Sequence, residues 1–223
     1  RNGAKAMSFQ DELAGIKRMA VEKRGPAVIA AYERGIDELR ADGLAGRALA
    51  VGDIMPEFAL PNADGATVRS GDLLGNGPLI VTFYRGGWCP YCNLELRTYQ
   101  AQLDRLRAAG ASVVAISPEL PDRTRDTAGR NEVAFDVLSD TGNTVARSFG
   151  LVFRLSDELV EIYRRNGNDL ERHNGDGSWE LPIPGTFVVD RDGRIALADV
   201  DPDYTRRLDP EEVVRAVEEL AGG

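Results

Sequence analysis

The two cysteines of this chain stand close together, with two residues between them, in the stretch Phe83-Tyr84-Arg85-Gly86-Gly87-Trp88-Cys89-Pro90-Tyr91-Cys92. An apolar run precedes them and a helix-like run follows, so the pair falls where a strand hands over to a helix. At such a point unpaired backbone N–H groups and the helix dipole favour thiolate over thiol on the first sulfur. The second sulfur, one turn on, can close a disulfide with the first. The spacing therefore predicts a redox pair, with Cys89 as attacking thiolate and Cys92 as resolving thiol. Pro90 suits the first helical turn because its missing N–H would have had no partner.

Other uses of these residues are weaker. A structural zinc needs four ligands, and the chain offers two cysteines and one distant histidine, so no metal is expected. Two inert core thiols would also fit the habits of free cysteine. The strand-before, helix-after context and Gly86-Gly87-Trp88, which predict a bare, accessible backbone at the sulfur, argue against that. Gly86-Gly87 has no phosphate-loop or dinucleotide spacing around it. Trp88 and Tyr91 read as the rim of the sulfur site and a docking surface. His173, alone in a glycine-rich polar loop, reads as solvent-facing. Asp122, Asp126, Glu132 and Asp136 read as a solvated face.

Alternating strands and helices must hold this pair. Residues 8–47 show helical spacing (Phe9, Leu13, Ile16, Met19, then Val28, Ile29, Tyr32, Ile36, Leu39) broken at Gly25-Pro26, which predicts a helical arm packed on the domain or on a second subunit. A small hairpin is expected around Asn62-Ala63-Asp64-Gly65. Leu79 to Tyr84 reads as a central strand buried on both faces, and Leu94, Leu96, Tyr99, Leu103 and Leu106 as the helix after the cysteines. Further strands are expected at Ser112–Ser117 and Phe135–Ser139, with helices near Pro118–Asn131 and Asn143–Phe149. Leu151 to Gly177 reads as an insertion with a helix over Asp157–Arg165. Phe187–Val189 pairs with Ile195–Leu197 across Asp190-Arg191-Asp192-Gly193, and Pro210–Leu220 forms the last helix. The pattern implies an α/β, mostly parallel sheet with both faces covered.

Composition narrows the function classes. A net charge of −9 opposes non-specific nucleic-acid binding. No apolar run approaches the roughly 20 residues of a membrane span, and the first twenty residues lack the apolar core of a signal peptide. Cysteines confined to one tight pair fit a reducing compartment, so a soluble, cytoplasmic protein is expected. Arg1 to Ala6, ahead of Met7, read as an upstream extension or cloning remnant and are set aside from fold reasoning.

Phe83 to Arg97 (FYRGGWCPYCNLELR), the entry Gly52-Asp53-x-x-Pro56-x-Phe58-x-Leu60 and the segment Pro184-Gly185-Thr186-Phe187-Val188-Val189-Asp190 together resemble the peroxiredoxin-like branch of the alkyl hydroperoxide reductase/thiol-specific antioxidant family, in the thioredoxin superfamily. The resemblance covers roughly residues 48–220, with the helical arm as an extension usual in this branch. It implies a thioredoxin-like fold, a central mixed sheet flanked by helices, over residues 48–223, and an arm over residues 8–47. It implies Pro184 as a cis-proline facing the active-site disulfide, with a trans proline simply opening the strand as the alternative, and Arg85, Trp88, Pro90, Tyr91, Pro184 and Thr186 as supporting residues around Cys89 and Cys92. No cofactor is implied.

Three departures matter. Peroxiredoxins carry Pro-x-x-x-Thr/Ser-x-x-Cys, whereas Gly86 stands three before Cys89 and Arg85 takes the place of the proline. Their arginine before the Gly-Thr-Phe position is Pro184 here. Cys89-Pro90-Tyr91-Cys92 is the redox quartet of glutaredoxin. Arg85 is a candidate replacement for the missing arginine, with a solvent-exposed loop charge as the alternative.

The resulting expectation is a thiol oxidoreductase acting on hydroperoxides, disulfides or both, reduced by a thioredoxin- or glutathione-type donor. A disulfide oxidoreductase without significant peroxidase activity and a redox-responsive binding protein, acting through the arm, remain open alternatives. A homodimer is compatible with the arm; nucleic-acid and membrane partners are not expected.

Overall fold

A computed structural model describes residues 7–222; the Arg1–Ala6 segment lies outside them. The chain begins with α1 (Phe9–Arg24), started by a reciprocal cap in which Ser8 Oγ accepts from the Asp11 N–H at 3.1 Å and the Asp11 carboxylate accepts from the Ser8 N–H. Gly25 turns at φ 77°, and Pro26 opens α2 (Pro26–Ala41) at its first position, where a proline sacrifices no hydrogen bond.

The hairpin β1 (Ala59–Pro61) and β2 (Thr67–Arg69) follows, then α3 (Ser70–Asn76), β3 (Leu79–Phe83), α4 (Pro90–Ala108), β4 (Ser112–Ser117), α5 (Pro121–Asn131), β5 (Asp136–Ser139) and α6 (Thr144–Ser148). The insertion is an excursion between β6 (Val152–Arg154) and β7 (Glu180–Pro182), which pair with each other and enclose α7 (Asp157–Arg165) and α8 (Leu170–Asn174). β8 (Gly185–Val189), β9 (Ile195–Val200) and α9 (Pro210–Gly222) complete the chain. α8 occupies part of the segment read as a glycine-rich polar loop around His173; Asp169 caps it by accepting from the Glu171 N–H.

The main sheet has the order β5-β4-β3-β8-β9. β3–β4 and β4–β5 are parallel, β3–β8 and β8–β9 antiparallel, so the sheet is mixed rather than mostly parallel. The Asp190–Gly193 turn reverses the chain there, where a parallel partner would need a long crossover. Every residue of β3 is buried. Leu79, Val81 and Phe83 face a core with Phe149 and Phe187, while Ile80 faces the opposite side, beneath α4 and α9 with Tyr99, Leu103 and Val214. That two-sided burial fixes the end of β3, and hence the loop carrying the cysteines.

The arm packs on its own domain. Phe9 and Leu13 of α1 share a cluster with Tyr84, Cys89, Tyr91 and Cys92, and Tyr32 of α2 packs among α7 residues including Leu159 and Tyr163. Gly35 permits the close approach of α2 and α7, since a Cβ there would meet Leu159 Cδ1 at 2.7 Å. No helix among the described residues is long and apolar enough to cross a membrane.

Candidate active site

Cys89 caps α4 in an extended conformation and Pro90 is its first residue, so the sulfur sits at the positive end of a helix of 19 residues. Cys89 and Cys92 are both free thiols, 2% and 0% exposed. The loop before them is buried, not bare. Gly86 has φ 147°, and a Cβ on it would lie 2.3 Å from Trp88 Nε1; one on Gly87 would lie 2.0 Å from Thr127 Oγ1. These glycines let Trp88 and α5 close onto the backbone. The Gly87 N–H donates to Glu119 Oε2 at 2.8 Å, and its carbonyl accepts from Asn93 and Arg130.

Arg85 is 3% exposed, which removes the solvent-exposed alternative. Its guanidinium lies 4.0 Å from the ring centroid of Tyr204 and 5.0 Å from that of Trp88, and it donates to the Tyr163 hydroxyl. Among the described residues no carboxylate lies within ion-pair distance of it, and its Nε has no hydrogen-bond partner. A cation this deeply buried, held only by aromatic faces and one hydroxyl, favours an anion beside it.

A second cation, Arg207, reaches in from the loop between β9 and α9. Its Nη2 stands 3.5 Å from Cys92 Sγ. These charges set the two sulfurs apart. Burial alone pushes the Cys89 thiol up, but hydrogen bonding with Cys92 and the charges of Arg85 and Arg207 outweigh it and bring the thiol down to about 6. Burial, together with the hydrogen bond to Cys89 and its charge, pushes Cys92 well above the usual thiol range. The two shifts favour thiolate on the first sulfur and thiol on the second. The iodoacetamide alkylation rate of Cys89 is therefore expected to reach half its plateau near pH 6, against about 8.5 for an ordinary cysteine; mass-mapped rates across pH check this.

The sulfur opens onto a cleft of ≈ 360 Å³ between the arm and the domain, walled by Tyr32, Ile36, Trp88, Tyr91, Tyr163 and Tyr204. Two arm residues in that wall were read from sequence as packing residues alone. Trp88 is half-buried, whereas Tyr91 is 4% exposed and stacks edge-on against Tyr204. Thr186 is buried beneath the site, its hydroxyl bonded to Thr82 and Tyr99.

Pro184 departs from expectation: no cis peptide bond occurs among the described residues. The chain runs from β7 into β8 through Ile183, whose N–H bonds the Leu151 carbonyl at 2.8 Å, so no tight bend demands a cis bond. Pro184 is buried and shares a small cavity with Arg85 and Tyr163. His173 is also misplaced by the sequence reading. It is partly buried, its Nδ1 3.3 Å from Glu119 Oε1 without a hydrogen bond and its ring 6.4 Å from that of Trp88. Of the four carboxylates read as a solvated face, Asp122, Asp126 and Glu132 are exposed, while Asp136 is half-buried and accepts from Asn62.

Glu95, Glu119 and Arg207 escaped the sequence reading. Glu95 carried a signal, a carboxylate on the apolar stripe of α4 one turn beyond Cys92; Arg207 lies in an irregular loop with no periodicity to betray it.

The sequence model of the AhpC/TSA family matches residues 51–198. Peroxiredoxin Bcp of Escherichia coli (strain K12) is 33% identical over 147 residues, spanning 66% of this chain and 83% of that protein. A putative peroxiredoxin of Mycobacterium tuberculosis, Rv2521, is 30% identical over 150 residues, spanning 67% of this chain and 84% of that protein. Among solved structures, peroxidoxin BcpB from Mycobacterium tuberculosis shares the fold at TM-score 0.61 and 22% identity, over 77% of this chain and 97% of that one. The family match starts after α2, so the arm that roofs the cleft lies outside it. On the strength of that match and of relatives spanning most of their own length, this chain, with its thioredoxin-like fold, belongs to the AhpC/TSA family, the peroxiredoxins of the thioredoxin superfamily.

Proposed function

We propose that the protein is a thiol peroxidase that reduces hydroperoxides through a Cys89–Cys92 dithiol/disulfide cycle. The observation that carries this reading is the Cys89 sulfur at a helix N-terminus, on the wall of the cleft, beside a buried guanidinium with no carboxylate in ion-pair distance among the described residues. The Cys89 thiolate attacks the distal peroxide oxygen. The O–O bond breaks, the alcohol or water leaves after taking a proton, and Cys89 becomes a sulfenic acid. Cys92 then displaces water to form the internal disulfide, and a thioredoxin- or glutathione-type dithiol donor returns two electrons.

Arg85 takes the electrostatic part that an arginine at position 184 would have filled, stabilising the thiolate and the negative charge on the breaking O–O bond. Trp88, Tyr91 and Tyr204 shape the approach to the sulfur. Residues 8–47 act as a roof distinct from the catalytic unit of residues 48–223, and the aromatic wall they help build suits an organic hydroperoxide as well as hydrogen peroxide. Cysteines confined to one tight pair fit a reducing, cytoplasmic setting.

Gly86, which brings no hydroxyl to the loop, favours a second reading, dithiol–disulfide exchange. Stopped-flow oxidation of the reduced protein by hydrogen peroxide and by an organic hydroperoxide, set against its rate of insulin reduction, separates the two. The peroxide rates are expected to exceed that of free cysteine by orders of magnitude. Peroxide rates no better than free cysteine, with fast insulin reduction, would overturn the peroxidase reading.

A further inference from the structure

Beneath the resolving sulfur lies a buried ion pair to which the cycle above gives no part in the resolving step. Glu95 projects from α4 one turn beyond Cys92, and Arg207 Nε donates to Glu95 Oε2 at 2.9 Å, with both side chains 4% exposed. Nη2 of the same guanidinium points at Cys92 Sγ from 3.5 Å, and Nη1 donates to the carbonyls of Tyr204 and Arg206. The Arg207 carbonyl accepts from Gln10 Nε2 at 3.1 Å, so α1 helps to hold the loop in place. The guanidinium has little freedom to leave the sulfur.

A buried pair of this kind is weak ground for stability, because the desolvation of both ions offsets their attraction and well-packed apolar side chains serve as well. Apolar side chains could not place a positive donor on a sulfur. We propose that Arg207, positioned by Glu95, is a catalytic residue of the resolving step, stabilising Cys92 as a thiolate while it attacks Cys89. The proposal rests on the Cys89–Cys92 cycle above. In that step the Cys92 S–H bond breaks and its sulfur bonds to Cys89. The S–O bond of the sulfenic acid breaks, and the departing hydroxide takes the proton as water; the Cys92 sulfur is oxidised and the Cys89 sulfenic sulfur reduced.

The surroundings of Cys92 explain why such help is needed. Cys89 lies beside it on α4, Tyr84 and Arg85 face it from the loop after β3, and Arg207 and Glu95 close the remaining side, with Tyr99 and Asp199 behind Glu95. Burial and the neighbouring sulfur resist a thiolate at Cys92, and Arg207 is the guanidinium in direct contact with it. Glu95, whose carboxyl burial raises to about 7 against the pull of Arg207, keeps the fork aimed.

The test uses the reduced full chain and dithionitrobenzoate, a small aromatic disulfide, so that no hydroperoxide is involved. The first thionitrobenzoate released reports attack by Cys89, and the second reports closure by Cys92. Arg207→Met is expected to slow the second release about tenfold or more and to move its pH midpoint upward, with a smaller effect on the first; Arg207→Lys is expected to recover part of the loss. The double variant Glu95→Leu/Arg207→Met removes both charges together, so its fold should hold by circular dichroism and thermal unfolding while closure stays slow. Closure at the wild-type rate and pH midpoint in the double variant, or in a folded Arg207→Met, would overturn the proposal. Normal wild-type closure in a protein that reduces no hydroperoxide would sink the peroxidase reading and leave the role of Arg207 intact.

Discussion

Cys89→Ser is expected to lower hydroperoxide consumption to the uncatalysed background, while Cys92→Ser completes one oxidation per molecule and stops. The asymmetry follows from the site. Cys89, not Cys92, sits at the helix N-terminus with its thiol brought down to about 6, and a serine hydroxyl there stays protonated, so no nucleophile remains. Without Cys92 the first step still runs, but the sulfenic acid has no partner sulfur and persists. Dimedone labelling read by intact mass should show one adduct in Cys92→Ser and none in Cys89→Ser. Either hydroxyl is buried at a cost of about 1–3 kcal/mol if unpaired, so thermal unfolding should accompany the assay. Sustained turnover by Cys89→Ser would refute the assignment of the nucleophile.

Arg85→Leu is expected to reduce the peroxide rate at neutral pH about a hundredfold, the scale set by losing one preorganised donor to a developing negative charge. The sign for the thiol is fixed by its surroundings. Burial opposes the thiolate and Arg85 favours it, so removing the guanidinium moves the alkylation midpoint of Cys89 up from about 6. Leucine leaves no orphan charge, and it fills part of the space among Tyr163, Trp88 and Tyr204; the Tyr163 hydroxyl loses its partner. Arg85→Lys keeps the charge but not the planar fork, and is expected to fall between. An unchanged alkylation profile in Arg85→Leu would show that the Cys92 hydrogen bond, the helix terminus and Arg207 suffice.

What could be read from residue types was what short-range physics decides. Leu79 to Phe83 announced a buried strand, Gly25-Pro26 a break between helices, and Cys89-Pro90 a helix start, because each depends on neighbours a few positions away. The misreadings share the opposite property. Gly86-Gly87 was expected to expose the sulfur, whereas their missing Cβ atoms admit Trp88 and Thr127, and Thr127 lies on a helix whose approach no local pattern encodes. His173 was read from a polar, glycine-rich context, while Glu119 arrives from a different part of the chain. Glu95 sat in plain view on an apolar stripe, but its partner lies 112 residues on, in a loop without periodicity. Pro184 was assigned a cis bond through resemblance, and the extended path from β7 into β8 made that bend unnecessary.

The separation between Cys92 and Arg207, 115 residues, also has a meaning in time. During synthesis the two cysteines leave the ribosome long before Tyr204 and Arg207 exist to surround them, so the nascent sulfur lacks the cationic, aromatic enclosure that makes it reactive. Until the last loop docks, Cys89 has Arg85 and Cys92 beside it but lacks the charge of Arg207 and the ring of Tyr204. The contact that closes the fold is thus also the one that brings the second guanidinium to the sulfurs, so the site is complete only when the chain is.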